Sequence, residues 1–212
     1  MILVEEDSVP TSDEFDGARS CRPSVTSAFS APRVIGLFLL LLAVLHGLYQ
    51  AERRLLDGQL VDLPYTRFVT LAAEGLGNIL LPFDIERRGD VTLGTHPNAT
   101  HDPTSADYVG NTTVVIRGGC NGIEALLLML AGVLALPAPW AMRLRVLACN
   151  LPILFALNLL RILALLYTMA RHPGWIDVAH DQIAQGVMII VVLLLWIRHV
   201  DRVRALHATV RA

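Results

Sequence analysis

The chain has 212 residues, of which 54% are hydrophobic and only 17% charged, and its formal net charge is −2. Its mean hydropathy is +0.53, whereas an ordinary soluble domain runs about 45–50% apolar and about 25% charged. These values exclude a disordered chain, a collagen-like chain and a basic nucleic-acid-binding domain, and leave an integral membrane protein with a small extramembrane part.

All 17 basic residues are arginine. That removes a P-loop lysine, a Schiff-base lysine and a Ser–Lys dyad together. Cys21, Cys120 and Cys149 are too few and too scattered for a disulfide framework or a zinc knuckle.

The first 32 residues carry Glu5, Glu6, Asp7, Asp13, Glu14 and Asp16 and read as a disordered cytoplasmic tail. Residues 34–51 form the first apolar run. It starts late, is long and has no small-residue cleavage site behind it, so it is expected to stay as an anchor. Residues 63–82 place Arg67, Thr70, Glu74 and Asn78 at spacings of three and four. That polar stripe predicts a helix lying at the outer interface, with a fifth span as the alternative.

An outer loop follows at 84–119. Residues 91–93 and 113–117 are β-prone, with Arg88-Gly89-Asp90 as a turn candidate, which predicts a small β-hairpin cap. Asn98 and Asn111 open glycosylation sequons that carry no meaning in a bacterium. Further apolar runs occupy 121–138, 146–170 and 182–197. The expected fold is an all-α polytopic membrane protein. It has about four transmembrane helices, one interfacial or fifth spanning helix, and the hairpin cap. A membrane catalytic domain would fill 33–200 and a cytoplasmic C-terminal tail 201–212.

Arginine placement sets the orientation. Arg19, Arg22 and Arg33 precede the first run, Arg143 and Arg145 separate the second from the third, and Arg198, Arg202, Arg204 and Arg211 follow the fourth. Four spans put these groups inside and the loop at 84–119 outside. Arg87, Arg88, Arg117 and Arg171 fall on the outer side, so the bias is incomplete.

Ionisable residues near an apolar core are functional candidates by default. Cys120 follows Gly118-Gly119 and precedes an apolar helix. A strand-to-helix turn there would put the thiol at a helix N-terminus, which favours thiolate. A buried structural cysteine is the plain alternative. Arg161 sits in an apolar run with Asn158 one turn earlier. Centre-of-membrane arginine costs about 2.5–3.5 kcal/mol. Glu124, one turn beyond Cys120, either counters its charge or serves structure alone. His180 opens the fourth run on the same side as Cys120 and is placed for proton transfer; His172 is its rival. Cys as nucleophile, His as acid/base and Arg as oxyanion stabiliser form a consistent acyl-transfer site.

These residues lie in three blocks, CNGIEALLL at 120–128, NLLRILALL at 158–166 and HDQIAQGVMII at 180–190. In order and content the blocks resemble the signatures of the exosortase/archaeosortase family of membrane cysteine transpeptidases, and RGGCNGIEA looks most like its exosortase H-type subgroup. The resemblance implies an enzyme that cleaves C-terminal sorting signals at the outer face of the bacterial cytoplasmic (inner) membrane. Its partners would be exported proteins bearing a short motif, a membrane helix and a basic cluster. Carried over, Cys120 is the nucleophile, Arg161 the essential arginine and His180 the catalytic histidine, with Glu124 and Asn158 in support. Many members have about eight spans, so the architecture does not transfer helix by helix.

Two other classes compete. A thiol-redox membrane protein would normally want paired cysteines, and here Cys120 and Cys149 are far apart in sequence. A non-catalytic membrane subunit would use Arg161 and Glu124 as a buried ion pair. No metal site, cofactor site or nucleic-acid partner is expected; the lipid bilayer is.

Overall fold

The structure is a computed structural model that describes residues 31–96, 112–117 and 119–209. The acidic segment 1–30, both sequon asparagines and residues 210–212 lie outside the described residues. Five α-helices and three strands follow in the order α1 (Ala31–Leu55), α2 (Asp62–Leu80), β1 (Ile85–Gly89), β2 (Thr92–Thr95), β3 (Thr113–Val115), α3 (Ile123–Ala135), α4 (Trp140–Arg171) and α5 (Gln185–Thr209). A 3-10 turn (Pro173–Trp175) and a π-helical turn (Val178–Ala184) join α4 to α5.

Among the described residues, three helical segments are long and apolar enough to cross a membrane: Ala31–Leu55, Trp140–Arg171 and Val178–Leu206. The chain is therefore a mostly helical membrane protein, but with three such helices where the sequence predicts about four. The difference lies at 121–138. Its helix, α3, has 13 residues, about 20 Å long and short of a bilayer core of about 30 Å. Polar packing around Asn121 delays its start. Its end comes at Leu136, where the backbone turns extended ahead of Pro137 and Pro139. The Leu136 carbonyl accepts from the Ala138 N–H and from Arg143 Nη2, both at 2.9 Å, which answers the need to satisfy backbone groups at membrane depth.

The cap is a three-stranded antiparallel sheet in the order β1-β2-β3, not a two-stranded hairpin. The extra strand is Ile85–Gly89, whose charged sequence hid it. The turn falls at Asp90-Val91, one residue beyond the expected triplet, and the β1–β2 register shifts between Arg87 and Gly89. Arg88 stitches the three strands. It donates to Glu86 at 2.6 Å, to the Thr95 carbonyl at 3.1 Å and to the Thr113 hydroxyl at 3.4 Å.

The polar stripe of α2 faces this sheet. The Asn78 amide brackets Ile85, accepting from its N–H at 2.6 Å and donating to its carbonyl at 3.0 Å. Glu74 accepts from the Arg87 N–H at 2.9 Å, Arg67 pairs with Asp90 at 2.6 Å, and Thr70 is fully buried. Phe68, Leu71, Ile79 and Leu80 leave an apolar face of α2 exposed.

Helix α4 backs two cores. One joins α2, the sheet and α4 through Val69, Ala73, Ile85, Leu93, Ile116, Leu163 and Leu166. The other joins α3, α4 and α5 through Met129, Val133, Val146, Leu154 and Val192. Helix α1 packs along α3. The backbone of α3 also comes close to α5 at Gly132, whose carbonyl accepts from the Trp196 indole at 3.1 Å. A Cβ on Gly132 would lie 2.6 Å from that ring.

Asn78→Ala should loosen the sheet, because Ile85 loses both backbone partners. A loss of about 1–3 kcal/mol is expected, read as a lower thermal midpoint in detergent with faster proteolysis between residues 85 and 95. A pH test concerns Glu86. The hydrogen bond from Arg88, with His96 beside it, holds its carboxyl below the usual carboxylate range. Such a group stabilises the fold above the unfolded-state value of about 4.3, and the contribution disappears as pH falls through the lowered folded-state value. The thermal midpoint should therefore fall on acidification below pH of about 4, and Glu86→Gln should flatten that fall.

Candidate active site

Strand β3 ends at Val115, and the next residue, Ile116, is sunk in the core and hydrogen-bonded to the Val91 carbonyl at 2.8 Å. The chain then turns. The N–H groups of Cys120 and Asn121 both return to the Arg117 carbonyl, at 2.9 and 3.2 Å. Gly119 and Gly122 take positive φ values of 94° and 84° on either side of Cys120-Asn121. The N-cap of α3 is Gly122, so Cys120 lies two residues ahead of the cap rather than within the first helical turn.

Gly122 is constrained twice. Its left-handed backbone disfavours any Cβ, and a Cβ there would meet Asn158 Cγ at 2.6 Å. Asn158, 1% exposed on α4, reaches over it to donate to the Asn121 carbonyl at 2.7 Å. The fully buried Asn121 amide donates to Asp62 at 2.8 Å and to Thr66 at 3.0 Å, and its oxygen accepts from the Ile123 N–H at 3.2 Å. Asp62 also accepts from the Tyr49 hydroxyl at 2.6 Å, and Arg53 stands 3.7 Å from its other oxygen. Four helices thus hold the turn at one height. Sequence reasoning did not single out Tyr49, Asp62 or Asn121. The usable signal was Asn121, a polar residue next to the cysteine at the mouth of an apolar helix.

Cys120 Sγ lies 3.0 Å from His180 Nε2. Both side chains are part-buried. His180 sits inside the π-helical turn Val178–Ala184, which precedes α5. Such turns occur mostly as local insertions in α-helices, frequently at functional sites. The rival, His172, is exposed at the C-terminal end of α4.

Arg161 is 9% exposed on α4. Its Nη2 donates to Gln185 at 3.4 Å, a long contact, and its Nε is buried with no partner among the described residues. It forms part of the wall of two cavities. One, of about 170 Å³, lies between Gly119 and Gly122 on one side and Arg161 and Gln185 on the other, with Glu124 in its lining. The second, of about 380 Å³ and mostly apolar, runs between α4 and the start of α5 past Ala179 and Ile183. Arg161 and Glu124 thus share a cavity but form no ion pair among the described residues. The sequence-predicted residues are brought together in unequal ways. Cys120 and His180 touch, Asn158 props the turn between them and α4, and Arg161 and Glu124 face each other across a cavity.

Cys120 and Cys149 are both free thiols. Cys149 is exposed on α4, 12 residues before Arg161, or about 18 Å along the helix. No group of three His, Cys, Asp or Glu is placed to hold a metal ion among the described residues.

The arrangement defines a membrane protein with a thiol–imidazole pair at the mouth of its helices and a buried guanidinium in the wall of a cavity shared with Gly119 and Gly122. Residues 104–198 match the family described as Transmembrane exosortase (Exosortase_EpsH), the family that the three sequence blocks resemble. The matched stretch holds Cys120, Asn158, Arg161 and His180. No curated protein and no solved structure matches the chain.

Gly122→Ala should displace Asn158 and tilt the turn. The left-handed conformation alone costs about 1–2 kcal/mol for a residue with a Cβ. A lower thermal midpoint is expected, together with a changed rate of Cys120 alkylation by a thiol reagent. An unchanged rate at a lowered midpoint would show that the turn does not set the position of the thiol.

Proposed function

We propose that this protein is a membrane cysteine protease or transpeptidase that cleaves the C-terminal sorting signals of exported proteins. The site faces the outer side of a bacterial cytoplasmic membrane. The observation that carries the reading is the 3.0 Å contact between Cys120 Sγ and His180 Nε2, made by the residues that the family's signature blocks mark out. The arginine groups at 143–145 and 198–204 support the orientation.

In the reaction, His180 Nε2 takes the proton of the Cys120 thiol, and the thiolate attacks the carbonyl carbon of the scissile peptide bond. A C–S bond forms and the carbonyl oxygen becomes an oxyanion. Arg161 stabilises it with N–H groups that α4 already holds in place. The C–N bond then breaks as His180 returns the proton to the leaving amine. The thioacyl-enzyme passes its acyl group to an acceptor amine or to water. The substrate's membrane helix lies against the exposed apolar surfaces of the bundle, which carries its motif to the turn.

The test is co-expression with a protein bearing a motif, a membrane helix and a basic cluster, with cleavage read by gel shift and mass spectrometry. Cys120→Ala should abolish cleavage, and full processing by it would sink the proposal. His180→Ala should slow cleavage by about 10²–10⁴-fold. Arg161→Lys should lose about 10²–10³-fold, because a point charge on a flexible stem does not reproduce the planar fork. Substantial activity in that variant would remove the oxyanion role.

A further inference from the structure

A second polar pocket lies at the other end of the bundle and shares no residue with the thiol site. It has a volume of about 190 Å³ and lies between α4 and α5, with Asn150, Arg198, His199 and Arg202 in its wall. His199 follows His180 by 19 residues, about 28 Å along the helix. That is close to the thickness of a bilayer core, so the pocket sits near the opposite membrane boundary.

Its chemistry is one-sided. His199 is 1% exposed, and neither ring nitrogen has a partner among the described residues. Buried polar groups are ordinarily hydrogen-bonded, so an imidazole with two unpartnered nitrogens at a cavity wall stands out. The charges that bear on His199 are Arg202 and Arg143, and both are positive. The Nε of Arg143 is itself buried with no partner among the described residues. Arg198 and Arg202 are exposed and form no ion pair among the described residues. No acid lines the pocket, and the nearest acid in sequence, Asp201, is exposed and pairs with none of these groups. The Asn150 amide has only a weak contact, 3.7 Å to Met129 Sδ.

We propose that this pocket binds a phosphate group, and that the phosphate belongs to the headgroup of an anionic phospholipid. His199 donates a ring N–H to a phosphate oxygen. Arg198 and Arg202 supply the charge, and the Asn150 amide is a further donor. A lipid is favoured over a soluble phosphate because the pocket wall continues into exposed apolar surface. Ile153 in its lining is 44% exposed and Leu194 on α5 is 59% exposed, which offers a bed for acyl chains. Basic pockets between membrane helices on the cytoplasmic side recognise headgroups in this way. The proposal is independent of what Cys120 does.

The full chain in detergent, exchanged into phosphatidylcholine nanodiscs with and without phosphatidylglycerol, tests it. The readouts are lipid retained by native mass spectrometry and the thermal midpoint. Wild type should retain phosphatidylglycerol over phosphatidylcholine and be stabilised by it. An Arg198→Gln/Arg202→Gln double variant, altered only at exposed positions, should retain it at least about tenfold less. His199→Gln should weaken retention without removing the charge. Unchanged helicity by circular dichroism and an unchanged Cys120 labelling rate serve as fold controls. Protection by inorganic phosphate alone, lost in the same variants, would identify a soluble phosphate and overturn the headgroup assignment. Equal phosphatidylglycerol retention by wild type and both variants would overturn the site.

Discussion

The hydrogen bond from Asn158 to the Asn121 carbonyl links the membrane bundle to the turn that carries the thiol. A polar side chain on a membrane helix needs a partner inside the protein, because lipid supplies none. Asn158 finds that partner in the backbone of the turn, and only a glycine at position 122 leaves room for it. From there the network spreads through the Asn121 amide to Asp62 and Thr66, and through Asp62 to Tyr49. Helices α1, α2, α3 and α4 are tied at one height, and the position of Cys120 follows from those ties. His180 comes from outside this network, on the π turn ahead of α5.

Arg161 has a different status from the residues of that network. They are paired to one another, while its Nε is buried without a partner among the described residues and its Nη2 makes one long contact. Keeping a guanidinium at this depth costs about 2.5–3.5 kcal/mol on insertion scales. The fold recovers little of that through Glu124, which faces the same cavity without bonding it. A charge left open on two cavities is consistent with a group whose partner arrives with a substrate. A purely structural ion pair would have been closed.

The sequence made some parts of this legible and hid others for definable reasons. Arg161 interrupts an apolar run, Cys120 follows two glycines, and His180 opens a span. Each is an exception that a one-dimensional string displays. Asp62 and Tyr49 lie near the ends of apolar runs, where polar residues are ordinary, and the bond from Asn121 to Asp62 joins residues 59 apart. Periodicity shows which residues share a face, as it did for Arg67, Thr70, Glu74 and Asn78. It does not show what covers the face, and here the cover is a protein sheet. Strand β1 was invisible because four of its five residues are charged or glycine. Helix α3 came out short because hydropathy cannot see the polar tie at its start.

The π turn at Val178–Ala184 also gives the thiol–imidazole pair a particular genetic vulnerability. A π turn is an α-helix with one residue too many, held where the surroundings tolerate the bulge. Losing a single codon between 178 and 184 would let the segment relax to regular α-helix. The helix on either side would keep its register, while side chains within the former bulge would shift by up to about 100°. His180 would leave Cys120 while the span stayed intact and apolar. Hydropathy would register nothing, so a frame-preserving deletion here could silence the thiol pair in a protein that still folds into its membrane.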